Sequence, residues 1–86
     1  MFGRRLNLDR LEVAELDEGG QRRFFFTFDG THFIEVDRVL DPSNEEDLRR
    51  ARDLWSPRFS ALWFVGLVTD TRRDLEARGA RITSPR

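Results

Sequence analysis

The clearest hydrophobic pattern in the chain is a pair of runs rich in phenylalanine and β-branched residues, at residues 24–28 and 31–36. They are joined by Asp29-Gly30, a dipeptide typical of two-residue type I′ turns, so the pattern predicts a β-hairpin. An earlier run at residues 11–16 ends at a second turn sequence containing Gly19-Gly20. The first half of the chain, residues 6–40, is therefore predicted to form a three-stranded antiparallel meander.

Two-residue loops would fix the register of this meander. Phe26 would then lie opposite both Val13 and Phe33, and Phe24 opposite Glu35, because side chains alternate between the two faces of a sheet. One face would carry Leu11, Val13, Phe24, Phe26, Phe28 and Phe33. The other would carry Ala14, Leu16, Phe25, Ile34 and Val36, together with Thr27 and His32. Both faces of the predicted sheet are thus largely apolar.

Two apolar faces both need a cover, since a sheet with one solvated face alternates cleanly between apolar and polar residues. We expect the helices of this chain to cover one face. The other predicts a homo-oligomer or an obligate protein partner, or else a small apolar ligand. The candidate ligand or interface residues are Phe24, Phe25, Phe26, Phe33, Ile34 and Trp63.

The second half of the chain reads as a helix followed by a β-α-β unit. Ser43 and Glu46 have the spacing of a capping box and predict a connector helix within residues 41–56, ended by Pro57. The apolar run at residues 61–68 fits helix or strand by periodicity, and its aromatic and β-branched content favours a buried strand. A helix at 70–78 with Gly79 as its C′ residue and an edge strand at 80–83 would complete the unit, residues 60–83. The fold class is α+β, one domain over residues 1–86.

Composition narrows the functional classes. The 15 basic residues are all arginine and are balanced by 16 acidic residues, for a net charge of -1, so no nucleic-acid partner is expected. The absence of cysteine excludes disulfides, thiolate metal sites and thiol nucleophiles. No apolar run approaches the roughly 20 residues that span a bilayer, so we expect no membrane partner and a cytoplasmic location.

A family resemblance appears in the second half. The segment at 62–65, the helix ending at Gly79 and the closing Ser84-Pro85 resemble the βαβ opening of a vicinal-oxygen-chelate module, the superfamily of glyoxalases, bleomycin-resistance proteins and extradiol dioxygenases. The meander resembles the last three strands of such a module. Because the meander comes first here, the chain resembles a truncated or permuted, glyoxalase-like module.

The resemblance implies a divalent metal held by His or Gln on the first strand of a module and Glu on the last. Glu35 stands at the glutamate position, but the first-strand position falls on Ser60 or Trp63, and neither is a histidine. The implied metal set is therefore incomplete, and we expect no cofactor unless a second chain supplies ligands.

No complete catalytic constellation can be named from the chain. His32 is its only histidine, and we favour a sheet-surface role for it over that of a ligand or base. Glu35 could be a general base with a raised pKa, but we favour pairing with an arginine, and Asp17, Arg22 and Asp37 read as a register clamp. The leading hypothesis is a non-catalytic binding module. The alternatives are a metal-dependent lyase, isomerase or dioxygenase-type enzyme completed by a second chain, and a small protein-interaction factor such as an inhibitor or assembly subunit.

Overall fold

The computed structural model describes residues 10–65 and 70–83, with the side chains of residues 56–65 left aside. The elements follow in the order β1 (Glu12–Glu18), β2 (Gln21–Thr27), β3 (His32–Val36), α1 (Glu45–Val65), β4 (Asp70–Thr71), α2 (Arg72–Ala77) and β5 (Arg81–Thr83). The predicted α+β class and the opening three-stranded meander are confirmed.

The described strands form one five-stranded antiparallel sheet in the order β4-β3-β2-β1-β5. The strands β4 and β5 lie at opposite edges of the sheet, and α2 connects them. This helix therefore crosses one face of the meander, which we call the α2 face. The first part of α1 packs on the opposite face, the α1 face.

The register of β1 and β2 agrees with the sequence prediction. Val13 lies opposite Phe26 and Asp17 opposite Arg22. Gly19 and Gly20 have φ values of 60° and 81°, the left-handed conformations that both central residues of a type I′ turn require. Asp17 and Arg22 form an exposed ion pair of 3.3 Å, so this part of the predicted register clamp is confirmed.

The register of β2 and β3 differs from the prediction by one residue. Phe26 lies opposite Ile34 instead of Phe33, and Phe25 lies opposite Glu35. Since side chains alternate along a strand, this slip moves every side chain of β3 to the other face. Ile34 therefore joins the α1 face and Phe33 the α2 face, the reverse of what two-residue loops predicted.

The slip arises in the loop between β2 and β3. Residues 28–31 lie outside both strands, so the loop has four residues where the Asp-Gly pair predicted two. Thr27 Oγ1 accepts the backbone N–H groups of Asp29 and Gly30 at 3.2 and 3.1 Å. Asp29 Oδ1 accepts those of Thr31 and His32, both at 2.8 Å. Side-chain capping by Thr27 and Asp29 thus stabilises a wider loop than the turn dipeptide indicates.

Each face of the sheet has its own apolar core. The α1-face cluster is centred on Trp55, whose ring lies 6.1 Å from that of Phe26 and 5.6 Å from that of Phe28. Its other buried members are Leu11, Val13, Ile34, Leu40 and Ala51. The α2-face cluster consists of Ala14, Leu16, Phe25, Phe33 and Leu75. The expectation that the helices of this chain would cover only one face is wrong, because α1 and α2 lie on opposite sides.

The helix α1 differs most from its prediction. It is a single helix of 21 residues, so the connector helix does not end near Pro57, and residues 61–65 are helical instead of a strand. Residues 66–68 of the predicted strand lie outside the described residues. The N-cap is Asn44 instead of Ser43, since Asn44 Oδ1 accepts the N–H groups of Glu46 and Asp47. Ser43 instead binds Asp41 through Oγ and N.

The second helix agrees better. Thr71 is the N-cap of α2, and its Oγ1 accepts the N–H of Asp74 at 3.2 Å. Gly79 follows the helix with a φ of 94°, as expected for a C′ glycine. The predicted edge strand is β5, which pairs with β1. Among the described helices, none is long and apolar enough to cross a membrane.

Candidate functional site

Four of the six predicted ligand or interface residues lie in the core of the described structure. Phe25, Phe26, Phe33 and Ile34 are each at most 1% exposed. Phe24 is half-buried. The side chain of the sixth residue, Trp63, lies outside the described part. As far as the described residues show, the aromatic core positions of both sheet faces are therefore covered.

At one end of the α2 face the side chains are charged instead of apolar. An ion-pair chain crosses this end of the sheet in the order Glu35, Arg23, Glu18, Arg78, Asp70. Arg23 donates to both oxygens of Glu35 at 2.9 and 2.8 Å and to Glu18 Oε1 at 2.8 Å. Arg78 donates to both oxygens of Glu18 at 3.0 and 2.8 Å and to Asp70 at 3.0 Å. The chain links β3, β2 and β1 to the C-terminal end of α2.

The ion-pair chain lowers the pKa values of two of its carboxyl groups, Glu18 and Glu35. Hydrogen bonds from Arg78 and then Arg23 lower the pKa of Glu18 to about 2. The Arg23 guanidinium likewise holds the pKa of Glu35 below its ordinary value. The predicted pairing of Glu35 with an arginine is therefore confirmed, and the alternative of a raised pKa suited to a general base is wrong.

The residues that the family resemblance implies as metal ligands do not all lie on strands. Glu35 lies on β3 and is hydrogen-bonded to Arg23. Ser60 and Trp63 belong to helix α1 and not to a first strand. Within residues 10–65 and 70–83, so far as their side chains are described, no group of three His, Asp or Glu residues could hold a metal ion.

His32 belongs to the network that closes the β2–β3 loop. Its Nδ1 lies 2.8 Å from Asp29 Oδ2, and Thr27 Oγ1 donates to Asp29 Oδ1 at 3.0 Å. Burial would raise the pKa of Asp29, but the hydrogen bonds from His32, Thr31 and Thr27 outweigh it and hold that pKa below its ordinary value. The slipped register removes the predicted pairing of His32 with Thr27. The imidazole serves to close a loop, a role compatible with the surface position that we favoured.

Arg72 is the residue that sequence reasoning missed. It donates through Nε to the carbonyl oxygen of Gly30 at 2.7 Å and through Nη2 to Glu12 at 2.8 Å. Its guanidinium carbon also lies 5.7 Å from the centre of the Phe33 ring. No local signal in the sequence connects residue 72 to residues 12 and 30.

Comparison with protein-family models, with curated proteins and with solved structures finds no match to this chain.

Proposed function

We propose that this protein is a non-catalytic binding module that works by self-association, and that its contact surface is the C-terminal part of helix α1. The observation that carries the proposal is the length of this helix. Within residues 45–55, the part of the helix whose side chains are described, Leu48, Ala51, Leu54 and Trp55 pack on the sheet. The helix then continues to Val65, for about 15 Å at 1.5 Å per residue.

The continuation is unusually apolar for a helix in such a charged chain. Five of its last seven residues are large and apolar: Phe59, Leu62, Trp63, Phe64 and Val65. Successive helical residues are rotated by about 100°, so these five cannot all lie on one side of the helix. A helix segment that is apolar on all sides must be shielded from water on more than one side. A single sheet face can shield only one side of it.

The rest of the described surface supports this location for the contact. Val39, 42% exposed, is its only exposed large hydrophobic residue. The two aromatic sheet faces are already covered by α1 and α2. An apolar contact is therefore best placed on the segment between Phe59 and Val65.

A second copy of the chain is the occupant that we propose. A two-fold interface uses the same patch on both subunits, so one apolar helix segment is enough for both partners. Each buried aromatic side chain contributes about 150 Å² or more. Three aromatic residues together with a leucine and a valine therefore approach the roughly 800 Å² per partner of a stable interface.

The glyoxalase-like hypothesis placed its first strand at residues 62–65, which are helical in the structure, so the βαβ unit needs a different first strand. We propose that β4, α2 and β5 are the counterpart of the βαβ unit of that superfamily. The cup and its metal are not carried over, because α1 lies on the second sheet face and Glu35 is bound by Arg23. A metal-dependent enzyme is accordingly not the function proposed.

Sedimentation equilibrium tests the proposal. We expect the wild-type protein to be a dimer at micromolar concentration, with a melting temperature that rises with protein concentration. Trp63→Glu should weaken the dimer by about 100-fold, as expected for a buried aromatic anchor. The control is Arg49→Gln, an exposed position of α1 that changes the net charge by the same amount and should leave the dimer intact.

A wild-type monomer at about 100 µM, with a melting temperature independent of concentration, would overturn self-association. It would leave a contact with a different protein, the interaction-factor alternative. The concentration series uses only the wild-type chain, so it remains decisive if Trp63→Glu fails to fold, which circular dichroism would reveal.

A further inference from the structure

Asp29 and Gly30 form the only Asp-Gly pair in the sequence. In such a pair the backbone nitrogen of the glycine can attack the side-chain carboxyl carbon of the aspartate, because glycine has no Cβ to obstruct the approach. The new N–C bond closes a succinimide ring, and the hydroxyl group of the protonated carboxyl leaves as water with the proton of the nitrogen. Water then opens the ring at either carbonyl and gives aspartate or isoaspartate. The pair is therefore a candidate site of spontaneous covalent modification.

The folded loop restrains the attacking nitrogen. The N–H of Gly30 donates to Thr27 Oγ1 at 3.1 Å, and Thr27 is fully buried. The carbonyl oxygen of Gly30 accepts from Arg72 Nε at 2.7 Å. Both polar groups of the Gly30 backbone are thus bound, and the nitrogen can turn toward the carboxyl carbon only if its hydrogen bond to Thr27 breaks.

The carboxyl group of Asp29 is restrained as well. Its Oδ1 accepts from the N–H groups of Thr31 and His32 and from Thr27 Oγ1, while Oδ2 lies 2.8 Å from His32 Nδ1. Burial would raise the pKa of Asp29, but the hydrogen bonds from these neighbours hold that pKa below its ordinary value. The side chain therefore stays ionised, and an ionised carboxylate has no hydroxyl group to lose as water. Both reacting groups are held in unreactive forms.

We propose that Asp29-Gly30 is an isoaspartate-forming site that the closed β2–β3 loop keeps inactive and that reacts when the hydrogen bonds of the loop break. In isoaspartate the main chain runs through the former side chain and is one methylene longer, while the carboxylate lies one methylene closer to the main chain. The carboxylate then no longer reaches the N–H groups of both Thr31 and His32. The modified chain therefore loses the loop that sets the register of β2 and β3. This inference is independent of self-association through α1.

Incubation in water enriched in oxygen-18 tests the site, because each ring closure followed by hydrolysis incorporates one oxygen atom from water. Mass spectrometry of proteolytic fragments locates the label and the isoaspartate bond. We expect Asp29 to react at least about tenfold more slowly in the folded chain than in the same chain unfolded in urea, because the reaction requires local opening. Asp17, which is exposed but followed by a glutamate, is the internal reference and should react more slowly than Asp29 in the unfolded chain. Equal rates at Asp29 in the folded and unfolded chain would overturn the proposal.

Three variants test whether Thr27 provides the protection. Thr27→Val removes the acceptor of the Gly30 N–H, and we expect the rate at Asp29 in the folded chain to rise about threefold to tenfold. Thr27→Ser keeps the acceptor and should stay within about twofold of the wild-type rate. Leu16→Val shortens a buried side chain opposite Arg23, at the end of β2 away from the loop. It lowers global stability without touching the loop, and it should also stay within about twofold of wild type.

Circular dichroism at the incubation temperature checks that the variants are folded. A wild-type rate in Thr27→Val, or an equal acceleration in Leu16→Val, would reject local protection by the loop. The comparison of folded and unfolded wild-type chain uses no variant, so it remains decisive if Thr27→Val fails to fold. The isoaspartate form, separated by reversed-phase chromatography and refolded, should melt at a lower temperature than the unmodified chain. Equal melting temperatures would contradict the loss of the loop.

Discussion

Arg72 and Glu12, sixty positions apart in the chain, are joined by a hydrogen bond of 2.8 Å between Nη2 and Oε1. The same guanidinium binds the carbonyl oxygen of Gly30 in the β2–β3 loop. One side chain therefore joins the first strand, the hairpin loop and the start of α2. The Glu12 side chain is only 17% exposed, so the pair is better shielded from solvent than an ordinary surface ion pair.

Replacing this arginine should destabilise the fold. For Arg72→Ala we expect a loss of about 1–2 kcal/mol in the free energy of unfolding, because Glu12 and the Gly30 carbonyl lose a charged donor in a half-buried place. The control is Arg73→Ala at the exposed neighbouring position, which should change stability by less than about 0.5 kcal/mol. Urea denaturation of both variants gives the comparison, and equal losses would contradict the role assigned to Arg72.

Protonation of Glu18 should lower the free energy of unfolding in acid. Its pKa is lowered in the folded protein from an ordinary 4.5 to about 2. Because the charged form is favoured in the folded state, its stabilising contribution is complete above pH 4.5 and is lost as the pH falls from 4.5 towards 2. Urea midpoints measured between pH 2 and pH 7 should therefore show a larger acid decline for wild type than for Glu18→Gln. Parallel curves would contradict the prediction.

Thr27 should be sensitive to loss of its hydroxyl group. The residue is fully buried, and Oγ1 accepts two backbone N–H groups while donating to Asp29. Thr27→Val preserves the shape but leaves two donors unpaired, at an expected cost of about 1–3 kcal/mol. Thr27→Ser keeps the hydroxyl group and should lose less. Thermal unfolding of the two variants measures the difference. If only the methyl group mattered, Thr27→Ser would lose more stability than Thr27→Val.

Trp55 should be the most important side chain of the α1-face core. It is 1% exposed and contacts both Phe26 and Phe28. We expect Trp55→Ala to cost about 3–5 kcal/mol, which is enough to unfold a domain of marginal stability. Val39→Ala, at an exposed position, should cost less than about 0.5 kcal/mol. Circular dichroism and urea denaturation distinguish these results.

The purified protein should contain no stoichiometric, tightly bound metal. The chain has one histidine and no cysteine, and Glu35 is held by two hydrogen bonds from Arg23. A divalent ion that replaced Arg23 would also leave the arginine charge without this partner. Elemental analysis measures the metal content. Zinc, iron or manganese at one equivalent per chain would contradict the prediction.

Local sequence was sufficient where a single turn controlled the geometry. Gly19 and Gly20 both accept positive φ angles, so the two-residue turn and the pairing of Val13 with Phe26 followed from the residues themselves. Gly79 likewise marked the end of α2. The ion pair of Asp17 and Arg22 was predictable for the same reason, since it follows from the register.

Local sequence was insufficient where side chains or distant segments competed with the turn signal. The Asp29-Gly30 pair indicated a two-residue turn, but the hydrogen bonds of Thr27 and Asp29 stabilise a four-residue loop, and Phe33 and Ile34 consequently exchange faces. Pro57 and the apolar run after it suggested a break followed by a strand. An apolar run of that length fits a helix equally well, and the structure contains one helix there.

The sequence alone determined the α+β class, the opening meander and the register of β1 with β2, because short-range turn geometry and the hydrophobic pattern encode them. Tertiary structure alone decided which helix covers which face of the sheet. As a result, the aromatic face that was expected to be open is covered by a helix. It also decided that Arg72 reaches Glu12 and that Glu18 lies between Arg23 and Arg78. These contacts join segments far apart in the chain, and their geometry follows from strand order and helix crossing, which no local pattern specifies.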